Sequence, residues 1–243
     1  MKKVILICGA SKNLGKFLAE KFSKESNIVL KISRSSKTDI KKNIYQCDLS
    51  LYSDTSNIMK IIKKKYKVLD AIIYCAGSSS HFFNKANIID NFLDSFKNNF
   101  FSFICLIDNY LKTYKNKKTN IIAISSIAGV KPMEAPIEYS VSKAALNFYC
   151  KIRSKQLVQH GIKLNVISPG NILMSNNNWA KKIKINKKKV MNYIFKNVPA
   201  KKFISPEEIF EICKMLIIKD KLNFFGSNLI IDGGQTLWSR IIF

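Results

Sequence analysis

The sequence predicts an α/β fold on a mainly parallel, doubly wound sheet, and three observations carry the prediction. Short runs rich in Ile, Val and Leu alternate with amphipathic helical stretches along the whole chain. A glycine-rich turn, Gly9 to Gly15, joins the first run to the first helical stretch. The last apolar run ends in a breaker, Asp232-Gly233-Gly234. Strands that alternate with helices pair in parallel and bury both sheet faces.

Residues 3–8 form a continuous apolar run, which predicts a strand buried on both faces. Residues 14–24 follow as a helix, and residues 28–33 and 43–46 as the second and third strands, the latter stopping near Asp48. Residues 55–66 form an amphipathic helix with Lys60, Lys63, Lys64 and Lys65 on its polar side, and residues 69–75 a fourth strand. Residues 88–114 supply a long helical region, kinked or divided, before a fifth strand at 120–125 delivers Ser126 at its C-terminal end. A helix over 139–160 ends near Gly161, and residues 163–168 make the sixth strand. Residues 175–197, rich in Lys and Asn, read as a mobile helical excursion, a lid over a substrate. Ser205-Pro206-Glu207-Glu208 starts a helix with Ser as N-cap, Pro at the first position and Glu208 closing a capping box; residues 228–231 are the last strand. With no repeat and no linker, residues 1–243 read as one domain.

Composition narrows the function classes. Lys2 and Lys3 before an apolar run imitate a secretory signal, but the run is too short and a tight turn follows it directly. No apolar stretch approaches the roughly 18 residues of a membrane span. Six cysteines lack any C-x-x-C or zinc-ligand spacing, which points to a reducing, cytoplasmic setting with neither disulfides nor metal. His81 and His160 have no His or Cys at helical spacing and read as surface positions. The net charge of +25 comes mostly from lysine, with arginine only at Arg34, Arg153 and Arg240. Bidentate recognition of bases and phosphates favours arginine, and no aromatic run interleaved with basic residues offers a stacking platform, so nucleic acid is not the expected partner. The charge is either a solvated surface or a general attraction for anionic partners.

The chemistry centres on Tyr139 and Lys143, four apart and therefore on one helix face, with Ser126 thirteen residues upstream. A phenol near pKa ~10 is a poor acid or base at neutral pH. Bringing it to about 7 requires roughly 4 kcal/mol. The lysine ammonium, a cationic nicotinamide ring and a buried setting are the expected sources. Ser126 would hold a substrate oxygen beside the phenol, which outlines a hydride-transfer site.

On these residues the chain resembles the classical short-chain dehydrogenase/reductase family. The family's T-G-x-x-x-G-x-G turn reads here Cys8-Gly9-Ala10-Ser11-Lys12-Asn13-Leu14-Gly15. Its Asp-Leu pair appears as Asp48-Leu49, its N-N-A-G as Tyr74-Cys75-Ala76-Gly77, and its catalytic asparagine as Asn99. Asn165 to Gly170 matches its N-x-x-x-P-G, and Asp232-Gly233-Gly234 its closing D-G-G. The resemblance implies a Rossmann-type domain. It also implies a catalytic set in which Tyr139 is the acid/base, Lys143 lowers its pKa and binds the nicotinamide ribose, Ser126 orients the carbonyl and Asn99 anchors a proton relay. The implied cofactor residues are Gly9, Ser11, Lys12, Asn13, Leu14 and Gly15 in the turn, then Arg34, Asp48 and Leu49. Ala76, Gly77, Tyr139, Lys143, Pro169, Gly170 and Ile172 complete the set.

Arg34 stands after the second strand, where an acidic residue would accept from the ribose of NAD(H). With Lys12 and nearby serines it suits a 2′-phosphate, so the expected cofactor is NADP(H). The expected substrate is a small carbonyl or alcohol, carrier-bound in the case of a 3-oxoacyl-[acyl-carrier-protein] reductase. A reductase of a cell-envelope sugar pathway and a non-catalytic NADP(H)-binding regulator are the alternatives. By resemblance the chain is a homodimer or homotetramer, joined through the helices after the fourth and fifth strands, with Phe92, Phe96, Phe100, Phe103 and Leu106 as a candidate stripe. Three departures stand out: Cys75 replaces an asparagine with a structural side-chain hydrogen bond, Met174 a cofactor-contacting threonine, and Tyr74 adds bulk beside Ala76-Gly77.

Overall fold

The computed structural model describes residues 2–78, 87–115, 118–219 and 222–237, and His81 lies outside them. Seven strands form one sheet: β1 (Val4–Cys8), β2 (Ile28–Ser33), β3 (Ile44–Gln46), β4 (Ala71–Tyr74), β5 (Asn120–Ile124), β6 (Lys163–Pro169) and β7 (Asn228–Ile231). All neighbours pair in parallel, in the order β3-β2-β1-β4-β5-β6-β7. This is the doubly wound, Rossmann-type arrangement the sequence predicts.

Period-two alternation sorts the strand residues onto two cores. Leu6 and Cys8 of β1 pack with Leu30, Ile72, Phe103, Tyr110 and Leu146, beneath α2 (Tyr52–Lys65), α4 (Ser102–Tyr114) and α5 (Ile137–Leu157). Ile5 and Ile7 point the other way, onto Leu18 and Phe22 of α1 (Asn13–Lys24) and Phe210 of α7 (Pro206–Ile218). The capping box of α7 is formed: Ser205 N donates to Glu208 Oε2 at 2.6 Å, and Glu208 N to Ser205 Oγ at 3.2 Å.

Three elements refine the sequence reading. The long helical region is α3 (Ile88–Phe96) and α4, joined by a π-helical turn at Lys97–Phe101. The helix bearing Tyr139 begins earlier, at Ile137 after Pro136, so the tyrosine sits in its first turn. The lysine-rich segment is a helix, α6 (Asn178–Asn197), broken at Asn186, whose φ of −152° leaves the helical region. Asn177 caps its first half through Ala180 N, and Asn186 caps its second through Lys189 N. Val190 and Ile194 are buried, while Lys181, Lys182, Lys184, Lys187, Lys188 and Lys189 are exposed.

The first turn uses its residues economically. Asn13 takes φ +46°, the left-handed region that asparagine tolerates, in place of the family's glycine. Gly15 has no such freedom of substitution, because a Cβ there would lie 2.3 Å from the Gly9 carbonyl oxygen. Gly15→Ala is expected to destabilise the fold by about 2 kcal/mol or more, since the obstacle is backbone. Denaturant unfolding checks this; an unchanged midpoint would mean that α1 shifts freely against β1.

Candidate active site

Strand order reverses between β1 and β4, and a cleft of about 460 Å³ opens at the C-terminal ends of the strands there. Gly9, Ser11, Lys12, Asn13, Leu14 and Gly15 line one end of it. Lys12 caps α1 without a side-chain hydrogen bond, and the first turn holds no acidic residue. The leading N–H groups of α1 are thus left uncapped at a wall of the cleft, a donor set suited to a pyrophosphate. By this test the residues fit a dinucleotide.

Arg34 lies at the β2 end of the cleft, exposed, with Nη1 donating to Asn98 Oδ1 at 3.0 Å. Asp48 and Leu49 line the same end. Burial raises the pKa of Asp48. Hydrogen bonds from Ser50 N (2.9 Å) and Ser50 Oγ (2.7 Å), with the charges of Arg34 and Lys97, outweigh it and hold the carboxyl below its usual range.

Ala76 and Gly77 form the floor. Gly77 has φ +146°, and a Cβ there would sit 2.6 Å from Asn99 Oδ1 and 3.6 Å from Lys143 Nζ. Asn99 is fully buried in the π-helical turn. Its Oδ1 accepts from Ser78 N (2.9 Å), and its Nδ2 donates to Ser78 O (3.1 Å) and Ser95 Oγ (3.1 Å). Ser95 Oγ also bonds Glu138 O (3.0 Å) and Ser142 Oγ (3.1 Å), so buried serines tie Asn99 to the helix that carries Tyr139 and Lys143. The sequence analysis missed Ser95 and Ser142, although each stands at helical spacing from a candidate residue: Ser95 four before Asn99, Ser142 three after Tyr139.

Tyr139 is half-buried and its hydroxyl bonds Ser126, whose Oγ also accepts from Ala128 N at 3.2 Å. Lys143 is 4% exposed; its Nζ donates to Ile124 O at 3.1 Å and lies 5.8 Å from the Tyr139 ring centre. Burial pushes the Tyr139 phenol up, and only the Ser126 hydrogen bond pulls it back. The expectation that a buried setting would help lower this pKa is therefore reversed, because desolvation disfavours the phenolate. The same burial pushes Lys143 down to about 8.

Ile172 reaches the cleft, whereas Pro169 and Gly170 are absent from its walls. Gly170 instead packs on Asp232, where a Cβ would meet Asp232 Cα at 2.9 Å, and its N–H bonds Ile231 O at 2.8 Å. Met174 and Asn177 complete the wall beside Ile172. Tyr74 does not crowd Ala76-Gly77. Its side chain is fully buried against Phe103, with its hydroxyl 2.5 Å from Ser102 Oγ and 3.2 Å from Asn98 O. Cys75 keeps the strand ladder through its N–H to Cys8 O (2.9 Å), and burial pushes its thiol up to about 12. The expected oligomer stripe is also redrawn. Phe103 and Leu106 are core, and the exposed apolar residues nearby are Ile89, Leu93 and Phe101, with Ile137, Val141, Phe148 and Ile152 on α5.

Tyr139 and Lys143 line the cleft, whereas Ser126 is absent from its walls and reaches the site only through Tyr139. A cleft with a glycine-rich turn at one end and a tyrosine and a buried lysine on its wall defines the class: an α/β oxidoreductase. The family model described as short chain dehydrogenase matches residues 3–188, and the chain belongs to that family. Among curated proteins it is 25% identical to a glucose 1-dehydrogenase 2 of Bacillus subtilis, over 97% of this chain and 95% of that one. It is 28% identical to a 3-oxoacyl-[acyl-carrier-protein] reductase of Buchnera aphidicola, over 96% and 97%. Among solved structures it resembles 4-hydroxyisoleucine dehydrogenase complexed with NADH (TM-score 0.86, 25% identity, 98% and 100% covered). It also resembles ElxO with NADP bound (TM-score 0.84, 26% identity, 98% and 100% covered). Among the described residues no helix is long and apolar enough to cross a membrane, and no cluster of His, Cys, Asp and Glu could hold a metal.

The buried lysine has a cost that can be measured. Its folded pKa, about 8, lies below the unfolded ~10.4, so the penalty is fully present below pH 8 and fades as pH rises towards the unfolded value. Lys143→Met is expected to raise stability at pH 7 by about 1–3 kcal/mol, with the gain shrinking between roughly pH 8 and 10.5. Thermal unfolding across this range checks it, and a loss of stability at pH 7 would show that the bond to Ile124 O outweighs the buried charge.

Proposed function

We propose that the protein is an NADP(H)-dependent oxidoreductase that interconverts a carbonyl and an alcohol, and that its physiological substrate is a 3-oxoacyl thioester on an acyl carrier. Tyr139 and buried Lys143, one helical turn apart on the wall of a cleft that opens at the glycine-rich turn, carry this reading; Ser126 does not line the cleft itself and joins the site through its hydrogen bond to Tyr139. A bound nicotinamide supplies or accepts the hydride. Ser126 holds the carbonyl oxygen, Tyr139 donates a proton as negative charge develops on that oxygen, and Lys143 provides the nearby positive charge. Asn99, locked by Ser78 and Ser95, keeps Gly77 and the cleft floor in place beside Lys143. Arg34 and Lys12, with no acidic residue at the end of β2, favour a 2′-phosphate.

A carrier-borne substrate is supported by charge. Residues 171–206 hold no Asp or Glu, and the lysines of α6 between 181 and 189 are all exposed. Their helix starts directly after Asn177, which lines the cleft, and the lysines can attract an acidic carrier. In this reading residues 1–243 are one cytoplasmic domain and 175–197 its lid, flexing at the Asn186 break.

Replacing Tyr139 with Phe removes the proton and keeps the ring. Turnover of a 3-oxoacyl substrate is expected to fall at least about a hundredfold while NADPH binding persists. Activity near wild type would remove Tyr139 from the chemistry. The exposed apolar row on α5, Ile137, Val141, Phe148 and Ile152, supports assembly through that helix face. Light scattering in moderate salt is expected to report a dimer or tetramer, and Phe148→Lys to shift it towards monomer. A monomeric wild type at every concentration tested would exclude assembly.

A further inference from the structure

Asn98 is neither a match to the family's motifs nor a residue the proposed chemistry uses, yet it lines the cleft and holds Arg34. The carbonyl oxygen and both side-chain polar atoms of Asn98 have defined partners. Its carbonyl oxygen accepts from Tyr74 (3.2 Å) and from Ser102 Oγ (2.9 Å), which fixes the backbone inside the π-helical turn. Its Nδ2 donates to Asp94 O at 2.8 Å. That bond leaves only Oδ1 for the guanidinium, so the amide cannot flip without setting donor against donor.

Arg34 is fixed from the other side as well. Gln46 Nε2 donates to Arg34 O at 3.1 Å, and the turn that follows is closed by Ser36 N on Ser33 Oγ (3.1 Å) and by the bond between the two hydroxyls (2.6 Å). The arginine is therefore held at both ends on the cleft wall, its backbone by Gln46 and its Nη1 by Asn98. The Asn98 anchor is neutral, so unlike a carboxylate it does not cancel the arginine's charge, which acts at longer range on Asp48.

From this geometry we infer that Asn98 is a specificity-determining positioning residue, which presents Arg34 to the 2′-phosphate of NADP(H). The inference rests on the NADP(H) reading above. An arginine held in place loses less side-chain freedom when it grips an anion, and the benefit goes only to a cofactor that carries the phosphate.

Titration of NADPH and NADH, followed by nicotinamide fluorescence, tests this without any substrate. Asn98→Ala is expected to weaken NADPH about fivefold and NADH less than about twofold. Asn98→Asp should weaken NADPH at least about tenfold, since its carboxylate occupies the guanidinium and repels the phosphate. In an Arg34→Ala background, Asn98→Ala should have no further effect on NADPH. Unchanged or tighter NADPH binding in Asn98→Ala overturns the inference. So does an equal loss for NADH, or an undiminished effect in the Arg34→Ala background, because each marks Asn98 as merely structural. A wild type that binds NADH more tightly defeats the NADP(H) reading and this inference together, whereas an intact preference in Asn98→Ala defeats the inference alone.

Discussion

The site depends on one topological constraint, the reversal of strand order between β1 and β4. On one side of that point the chain winds towards β2 and β3, on the other towards β5, β6 and β7. The connections leaving the C-terminal ends of β1 and β4 therefore diverge, and the sheet must open a crevice where they part. Gly9 and Asn13 to Gly15 leave β1 on one side of it, and Ala76 and Gly77 leave β4 on the other. Both edges belong to buried parallel strands, so their positions are set by the core rather than by the loops.

Polar burial is the second layer of the design, and it follows from the first. A cleft over a close-packed sheet forces its functional groups into low dielectric, where each unpaired donor or acceptor costs about 1–3 kcal/mol. The chain meets this by pairing them: Asn99 with Ser78 and Ser95, Ser95 with Ser142, Lys143 with the Ile124 carbonyl. The π-helical turn serves the same end. It rotates Asn99 into the interior and frees the Asn98 carbonyl, which Tyr74 and Ser102 then satisfy. Tyr74, a departure from the family pattern, is thus accommodated by a neighbouring serine on α4 rather than by space in the cleft.

Much of this was legible in the sequence, and the boundary of legibility has a physical basis. Apolar runs, turn chemistry and the Ser205–Glu208 capping box are local signals, and the strands and α7 appear where those signals fall. The left-handed φ of Asn13 is likewise a local matter, since asparagine tolerates that region by its own backbone preference. What was not legible depends on contacts distant in the chain. The Arg34–Asn98 bond spans 64 residues, and Ser95 reaches Ser142 across 47. A stripe of apolar residues does not say which of its members meet the core: core packing accounts for Phe103 and Leu106, while Phe101 and Phe148 are exposed.

The reversed shift at Tyr139 shows how far residue pairing by sequence can carry an argument about charge. Spacing puts a lysine one turn away, and an ammonium in water would stabilise a phenolate. Here Lys143 is buried and Tyr139 half-buried on the cleft wall, and desolvation disfavours the charged form of each, raising the tyrosine and lowering the lysine. The chain's own groups therefore hold Tyr139 as a neutral phenol at physiological pH, with Lys143 still largely protonated below about 8. That is the protonation state a proton donor needs when an alkoxide forms beside it, and the Ser126 hydrogen bond aims the donor. Removing the same proton to start the reverse reaction demands positive charge beyond what the folded chain supplies at the ring. A catalyst lowers the barrier in both directions equally, so this asymmetry concerns which charges must stand beside the phenol and not which way the reaction runs.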